Sequence, residues 1–382
     1  MRFLRLALVL GTAFGGEERR GAKSFGAVKQ WLDLTQTNIT LTIGDASGVL
    51  FEYRSGYMNA DVIKPLASGS KWPAATALMA TFHAHNVSID EPLSKYLDWW
   101  ASSPLDARSK VTLRQVMSMT TGMIVDSDCD ISLNDCAERK ALGKVGFEAF
   151  AGCKGDLPQC AKELYDALPH KPMYAPGEKF MYSSLSFQFA AAVAVAVSGM
   201  PIGELLDRFV LGPLKMGPEC FWADSDKNPL LGGGLNCNGR QMDKFVHAML
   251  VDELVPRRVR EEMETVQVTE LSQYSTTTAF WGPYCMGNWL ECIHGQYGVV
   301  VPQQCVDAGR HGHPGCGGYY DFVHRRAGYY FSMLPSWECT AQNAYCGTGS
   351  PDAWGAGCPA LYGYATSLRI GIAGFLDDIF GA

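Results

Sequence analysis

Ser68 and Lys71 are residues whose types and spacing could do covalent chemistry. They lie in the stretch PLASGSKWPAATAL, from Pro65 to Leu78 of a 382-residue chain, and no other serine in the sequence has a lysine three positions after it. Because positions three apart share one face of a helix, the lysine amine can reach the serine hydroxyl. A serine hydroxyl is a weak nucleophile until a base removes its proton. A lysine can be that base if burial and neighbouring charge lower its pKa towards neutrality.

The spacing alone is weak evidence for a nucleophile. A chain of this composition contains roughly one such pair by chance. A solvated lysine beside a serine at a helix start explains the pair without any chemistry. The interpretation therefore depends on whether other parts of a site occur elsewhere in the sequence.

Strands are predicted towards both ends of the chain, with helices between them. Residues 72–85 are rich in Ala, Leu and Met at helical spacing, so Ser68 lies at a helix start. Runs bounded by turn residues predict a strand pair within 40–53 and a hairpin formed by 317–323 and 329–334. Further helices are predicted over 112–119, 161–168, 185–198, 201–210, 240–251 and 360–380.

This order of elements predicts an α/β fold in which one domain is split in sequence. We expect a discontinuous sheet domain made of residues 24–66 and 276–382. A mainly helical domain is expected over residues 67–275.

Two later stretches could complete a site with Ser68. APGEKFMYSS places Tyr182 on a loop just before a buried helix. RHGHPGCGG, over residues 310–318, opens a strand through glycines that let a ligand approach the backbone closely.

These stretches together resemble the serine β-lactamase-related family, which includes class C β-lactamases, D-alanyl-D-alanine carboxypeptidases and esterases. The family's motifs follow the order S-x-x-K, Y-x-N and K/H-x-G. Here the corresponding positions are Ser68–Lys71, Tyr182–Ser184 and His313–Gly315. Flanking stretches match as well, over about residues 38–335: SIDEPLSKYL, TLRQVMSMTTG, PGEKFMYSS, GGGL and GHPGCGG.

The resemblance implies an antiparallel sheet flanked by helices with a helical insertion domain, the β-lactamase/transpeptidase-like fold. It implies that Ser68 is the nucleophile, that Lys71 is its base and that Tyr182 relays a proton to the leaving group. It also implies an oxyanion hole made of the backbone N–H groups of Ser68 and Cys316. No cofactor is expected.

The same resemblance assigns substrate binding to Ser184, His313 and Gly315, and two positions depart from the family pattern. Ser184 replaces an Asn that binds the substrate's amide and supports the lysine. Pro314 stands where Thr is common. Because serine is shorter than asparagine and has a single donor, we expect esters to be better substrates than β-lactams.

Other chemistries are less well supported by the sequence. There is no S-D-N motif, which disfavours class A β-lactamases, and no G-x-S-x-G elbow of an α/β-hydrolase. His311 and His313 could suggest a metal, but a third histidine or a spaced carboxylate is missing nearby, so no metal is expected.

The composition fits one large or two closely packed globular domains with ample core. The chain is 47% hydrophobic and 19% charged, with a net charge of -7, and basic residues are not interleaved with aromatic ones. Nucleic acid is therefore an unexpected partner. The apolar run over 187–197 is short and interrupted, so it predicts a buried helix and not a transmembrane one.

The N-terminus and the cysteines both indicate secretion. Arginines 2 and 5 flank the start of a short apolar run, and Ala13-Phe14-Gly15 is a small-x-small cleavage site, so residues 1–15 are predicted to be a signal peptide. The chain has 13 cysteines and no C-x-x-C pair, which favours disulfides over zinc. Near-neighbour pairs are Cys129/Cys136, Cys153/Cys160, Cys285/Cys292 and Cys339/Cys346, and Cys316 is expected to stay unpaired. Asn38 and Asn86 begin N-glycosylation sequons.

The sequence therefore favours a secreted serine hydrolase that forms an acyl-enzyme with a small-molecule ester, amide or peptide. Two alternatives stay open. A non-catalytic binding or structural protein could retain the fold, and the missing Asn at position 184 supports this. A transferase could pass the acyl group to an acceptor other than water.

Overall fold

The computed structural model describes residues 25–35, 39–56, 58–124, 136–223, 225–268, 283–290, 310–312, 320–324 and 328–333. The predicted signal peptide and the predicted closing helix lie outside these residues, as do Asn38, His313, Gly315 and Cys316.

Helices occupy most of the middle of the chain. Their bounds are α1 Phe25–Thr35, α2 Lys71–Ala84, α3 Leu113–Met117, α4 Cys136–Gly152, α5 Leu157–Ala167, α6 Ser186–Ser198, α7 Ile202–Leu206, α8 Gly239–Leu250 and α9 Arg257–Glu264. A π-helical turn, Asp207–Leu211, continues α7. Helices α1, α4 and α9 were not predicted, and α4 lies in the region where the sequence analysis noted only cysteines.

The main sheet has six antiparallel strands in the order β2-β1-β9-β8-β7-β6. Their bounds are β1 Thr40–Asp45, β2 Gly48–Arg54, β6 Trp289–Leu290, β7 Arg310–Gly312, β8 Tyr320–His324 and β9 Gly328–Met333. Strand β1 lies between β2 and β9, with Ile43 paired to Phe51 on one side and to Tyr330 on the other. The antiparallel sheet drawn from both ends of the chain, flanked by helices, confirms the predicted fold.

A second, three-stranded sheet holds the segment that leads to Ser68. Its strands are β3 Lys64–Pro65, β4 Phe221–Trp222 and β5 Leu235–Cys237, in the order β3-β5-β4. Lys64 pairs with Cys237, and the N–H of Leu66 donates to the carbonyl of Leu235 at 2.8 Å. The segment just before Ser68 is therefore already bonded to residues near position 235.

Helix α2 runs through the core. Its residues from Lys71 to Phe82 are all buried, so it is covered on every side, as expected for a helix without a polar face. It packs against α6, α7 and α9. Helix α8 covers the main sheet, where it contacts β9, β8 and β1. Helix α2 thus fixes Ser68 and Lys71 at the start of an element that is held on all sides.

Two disulfides join residues of the described chain. Cys153–Cys160 confirms one predicted pair. Cys220–Cys237 links the start of β4 to the end of β5 and was not predicted, because 17 positions separate its cysteines. Cys285 is buried, with its sulfur 3.2 Å from the carbonyl of Glu264. Its predicted partner, Cys292, lies outside the described part of the chain. At least one cysteine of each other predicted pair, Cys129/Cys136 and Cys339/Cys346, also lies outside it.

No single helix within the described ranges has the length and apolar character needed to cross a bilayer. Ser186–Ser198 and Ile202–Leu211 meet these criteria only as a pair, and the two are bent by 91°.

Candidate active site

The nucleophile candidate lies on a single turn of 3-10 helix, Ala67–Ser70, that runs directly into α2. Ser68 is half-buried, and Lys71 is the first residue of α2. Ala67, just before Ser68, has a φ of 45°, a left-handed conformation that is unusual for a residue other than glycine. Such conformations concentrate at functional sites. The turn places the Lys71 Nζ 3.0 Å from the Ser68 Oγ.

The Lys71 amine is buried and lies close to three neutral oxygen atoms. Its side chain has no solvent exposure. Besides Ser68, its Nζ lies 2.6 Å from the carbonyl oxygen of Gly232 and 3.2 Å from the Oγ of Ser184. A carbonyl oxygen cannot donate, so one Lys71 N–H must point at Gly232. A neutral amine could give its remaining N–H to Ser184 and accept the Ser68 proton on its lone pair. These three contacts are therefore compatible with a lysine that acts as a base.

Ser184 fills one of the two roles that the family resemblance gives to asparagine. Its hydroxyl supports the lysine, although 113 positions separate the two residues. A serine hydroxyl has one proton to donate, whereas an amide NH2 has two. The contact with the lysine is thus kept at this position by a shorter side chain.

Tyr182 lies directly beside the lysine. Its half-buried ring has the Lys71 Nζ 4.6 Å from its centroid. The ring of Trp289 also stacks on it, with 6.1 Å between the two ring centroids and an interplanar angle of 23°. Tyr284 is fully buried in the same aromatic group, and burial raises the pKa of its hydroxyl well above the usual value. Tyr284 therefore stays neutral and adds no charge next to Tyr182.

The third motif begins where strand β7 ends. His313, Gly315 and Cys316 lie outside the described residues. The residue before them, Gly312, pairs with Trp289. Trp289 in turn stacks on Tyr182. The end of β7 is therefore paired with a residue that contacts the tyrosine.

Gly232 is a site residue that the sequence analysis did not assign. Its segment, GGGL, was noted only as a flanking match. A Cβ built at Gly232 would lie 2.3 Å from the carbonyl oxygen of Ser184 and 2.7 Å from its Cα. Only glycine lets the two backbones come this close. The run of three glycines is the signal that could have indicated a close approach.

Buried side chains hold the Gly232 segment from both sides. The Gln188 amide donates to Asn228 at 3.0 Å and to the carbonyl of Pro229 at 3.1 Å, and its oxygen accepts from the N–H of Leu231 at 3.2 Å. The Ser70 hydroxyl accepts from the N–H of Leu235 at 3.0 Å. The Gly232 carbonyl is therefore fixed relative to Lys71 by residues on α6 and beside the lysine.

The described residues were predicted from the sequence to hold no metal ion. Among them, no group of three or more His, Cys, Asp or Glu side chains is arranged to hold a metal ion. His313, one of the two histidines considered in the sequence, lies outside these residues.

Comparisons with known proteins agree with the fold. The family model named Beta-lactamase matches residues 43–335. The chain therefore belongs to the Beta-lactamase family of serine hydrolases. Among curated proteins, none matches it.

Several solved structures share the fold at low sequence identity. EstCE1, a hydrolase with promiscuous acyltransferase activity, matches with a TM-score of 0.62 and 15% identity over 97% of this chain and 100% of its own. A family VIII carboxylesterase matches with a TM-score of 0.59 and 14% identity, over 81% of this chain and 89% of its own. A penicillin binding protein from Bacillus halodurans matches with a TM-score of 0.53 and 18% identity, over 80% and 94%. At these identities the likeness concerns the fold and not the substrate.

Proposed function

We propose that this chain hydrolyses small-molecule esters or amides through an acyl-enzyme on Ser68, with esters preferred over β-lactams. The observation that carries the proposal is the Lys71 Nζ, which is buried, 3.0 Å from the Ser68 Oγ and held by the Gly232 carbonyl at 2.6 Å. A base must lie within hydrogen-bond reach of the proton it removes, and this distance satisfies that condition.

The chemistry has two halves. In the first, the Ser68 oxygen attacks the substrate's carbonyl carbon while its proton passes to the neutral Lys71 amine. The carbon–leaving-group bond then breaks, and Tyr182 relays a proton to the departing alkoxide or amine. In the second half, water attacks the Ser68 ester, its proton returns through the same groups, and the free acid leaves. The backbone N–H groups of Ser68 and Cys316 are proposed to stabilise the oxyanion of both tetrahedral intermediates.

Fluorophosphonate labelling tests the nucleophile directly. A fluorophosphonate should modify the wild-type protein on Ser68, identified by mass spectrometry of the labelled peptide. The Ser68→Ala variant should neither be labelled nor turn over an ester. Ser102→Ala, at an exposed serine outside the site, is the matched control and should react like wild type. Full labelling of the Ser68→Ala variant would refute the assignment. A wild type that neither labels nor hydrolyses any ester or amide would favour the non-catalytic alternative.

The preference for esters rests on Ser184. Its hydroxyl is 3.2 Å from the Lys71 Nζ, and it is shorter than the family's asparagine. The usual β-lactam carries an amide side chain. The family's asparagine can donate a hydrogen bond to the carbonyl of that amide. Loss of one hydrogen bond to a buried substrate group costs about 1–3 kcal/mol, or roughly fivefold to 150-fold in kcat/KM. A simple ester does not need this contact.

The substrate preference is tested by comparing kcat/KM for a short-chain p-nitrophenyl ester and a chromogenic cephalosporin. Wild type should favour the ester. The Ser184→Asn variant should gain about tenfold on the cephalosporin relative to the ester. A wild type that prefers the cephalosporin would contradict the argument, and the β-lactamase interpretation would replace it.

We also propose that the chain is secreted after removal of residues 1–15. The disulfide Cys153–Cys160 supports export, since such bonds persist in oxidising compartments. Asn86, which begins a sequon, is exposed at the end of α2.

Export is tested in a eukaryotic host. N-terminal sequencing of the protein from the culture medium should show the shortened chain. Glycosidase treatment should lower the mass of wild type more than that of Asn86→Gln. Retention of the intact protein inside the cell would contradict export.

A further inference from the structure

Tyr182 lies on a loop whose backbone is hydrogen-bonded to the turn formed by residues 119–123. The carbonyl of Gly122 accepts from the N–H of Met173 at 2.8 Å, and the carbonyl of Thr120 accepts from Gly177 at 2.7 Å. A Cβ at Gly122, where φ is +70°, would lie 2.1 Å from the carbonyl oxygen of Tyr174. The loop and the turn are therefore in close contact along several residues. The last residue in this series of contacts is Met119.

Met119 bonds to both residues that flank Tyr182. Its carbonyl oxygen accepts from the N–H of Met181 at 2.8 Å. Its thioether sulfur lies 3.3 Å from the N–H of Ser183, which is buried. A thioether is a weak acceptor, yet a buried N–H needs a partner. The backbone carbonyl and the side chain of Met119 thus hold two peptide groups close to the tyrosine, Phe180–Met181 and Tyr182–Ser183.

The backbone of Met119 is itself unusual. Its φ is 59°, a left-handed conformation that is strained for a residue other than glycine. Met119 is also buried. A glycine would adopt this backbone without strain but would have no sulfur to offer to Ser183. The conformation is accounted for if the position needs a side-chain acceptor.

We infer that Met119 is a positioning residue for Tyr182. By holding the Phe180–Met181 and Tyr182–Ser183 peptide groups, it fixes the direction in which the Tyr182 side chain leaves the backbone. It thereby places the Tyr182 ring centroid 4.6 Å from the Lys71 Nζ. The Trp289 ring, which stacks on Tyr182, also restrains the phenol. This inference rests on the proposed function, in which Tyr182 relays a proton.

A double-mutant cycle tests the coupling. Met119→Leu keeps the carbonyl and most of the volume but removes the sulfur. It should lower kcat for an ester about fivefold, as expected for one modest hydrogen bond, and leave KM within about twofold. In the Tyr182→Phe background the same substitution should have almost no further effect. The matched control is Met123→Leu, a buried methionine four positions along the same turn, which should leave both constants near wild type.

A second readout does not depend on turnover. With 3-fluorotyrosine incorporated, the 19F resonance that Tyr182→Phe removes should shift or broaden in Met119→Leu and not in Met123→Leu. A shift in a protein without hydrolase activity would support the positioning role and refute the proposed function. An equal loss of kcat from Met119→Leu in the wild-type and Tyr182→Phe backgrounds, or an unchanged resonance in Met119→Leu, would overturn the positioning role alone.

Discussion

At the scale of single residues, the chemistry depends on how the Lys71 amine shares its hydrogens among three oxygen atoms. Its protonated form would use one N–H for each of Ser68, Ser184 and Gly232. Its neutral form must still donate to the Gly232 carbonyl, which leaves one N–H and one lone pair for the two hydroxyls. The amine can therefore receive the Ser68 proton without moving away from its other contacts.

Replacement of Lys71 by arginine distinguishes a lysine that acts as a base from one that acts only through its positive charge. The guanidinium keeps the cation but does not give up its proton in proteins. Lys71→Arg should therefore lower kcat for an ester by about a hundredfold or more, which is within the range for loss of a general base. Steady-state kinetics and the rate of fluorophosphonate labelling measure this, with circular dichroism to verify the fold. Lys64→Arg, on β3, is the matched control. Activity of Lys71→Arg within a few-fold of wild type would show that the lysine acts only through its charge.

At the scale of elements, the site depends on the contact between two backbone segments. One carries Ser184, just before α6, and the other carries Gly232, just before β5. Because their backbones touch, the Gly232 carbonyl reaches the amine of the first residue of α2. Three elements therefore meet at one lysine.

Gly232→Ala should damage both stability and activity. The new Cβ would lie 2.3 Å from the Ser184 carbonyl oxygen, so one backbone segment must move. Overpacking of this kind costs about 1–3 kcal/mol, and the movement also displaces the acceptor for Lys71. Urea denaturation and ester kinetics measure the two effects. Gly152→Ala, where a Cβ would meet nothing within 4 Å, is the control and should be near neutral. Wild-type kinetics in Gly232→Ala would mean that the carbonyl has no part in holding the lysine.

The packing of α8 against the main sheet should make stability depend on pH through Asp243. Asp243 lies on α8 near Tyr329, and burial raises the pKa of its carboxyl above the usual 3.8, against the smaller opposing effects of the Tyr329 hydroxyl and His247. A raised folded-state pKa means that the carboxyl stabilises the fold below its unfolded pKa. That contribution is lost as the pH rises through the folded pKa.

Asp243→Asn should therefore be more stable than wild type at pH 7, and its advantage should shrink as the pH approaches 3.8. Denaturant midpoints at several pH values measure this. The control is Asp61→Asn, since Arg240 lowers the pKa of that exposed carboxyl and its replacement should give no such gain. An advantage of Asp243→Asn that is constant with pH would point to packing and not to the charge.

At the scale of the whole molecule, Lys71 and the groups around it come from segments far apart in the chain. Ser184 and Gly232 approach Lys71 across 113 and 161 positions. The two disulfides close loops of 7 and 17 residues, and the longer one joins the strands next to the Gly232 segment.

Removal of the Cys220–Cys237 disulfide should cost more stability than removal of Cys153–Cys160. Closure of a loop of about 15 residues contributes about 3 kcal/mol by the chain-entropy model, and a shorter loop contributes less. The free energy of unfolding of Cys220→Ala/Cys237→Ala should therefore fall below that of Cys153→Ala/Cys160→Ala. Urea denaturation of both double variants provides the comparison. The reverse order would mean that the entropy of loop closure does not decide the contribution.

The sequence by itself predicted the parts of this protein that depend on neighbours along the chain. The spacing of Ser68 and Lys71 was readable because residues three apart meet within one turn. Helix α6 and the hairpin of β8 and β9 followed from local patterns of apolar residues and turns. The ordered motifs indicated the family for the same reason, since each motif is short and continuous.

Only the tertiary structure decided which distant groups complete the surroundings of the lysine. The Gly232 carbonyl is a backbone group, which every residue type has, so the sequence does not indicate that it accepts from Lys71. In addition, 161 positions separate the two residues. The partnership of Cys220 with Cys237 depends on the pairing of β4 with β5. The bonds from Met119 to the residues around Tyr182 depend on a left-handed turn that no local pattern predicted. Such contacts depend on how whole segments pack, and packing is a property of the folded chain and not of any one stretch of sequence.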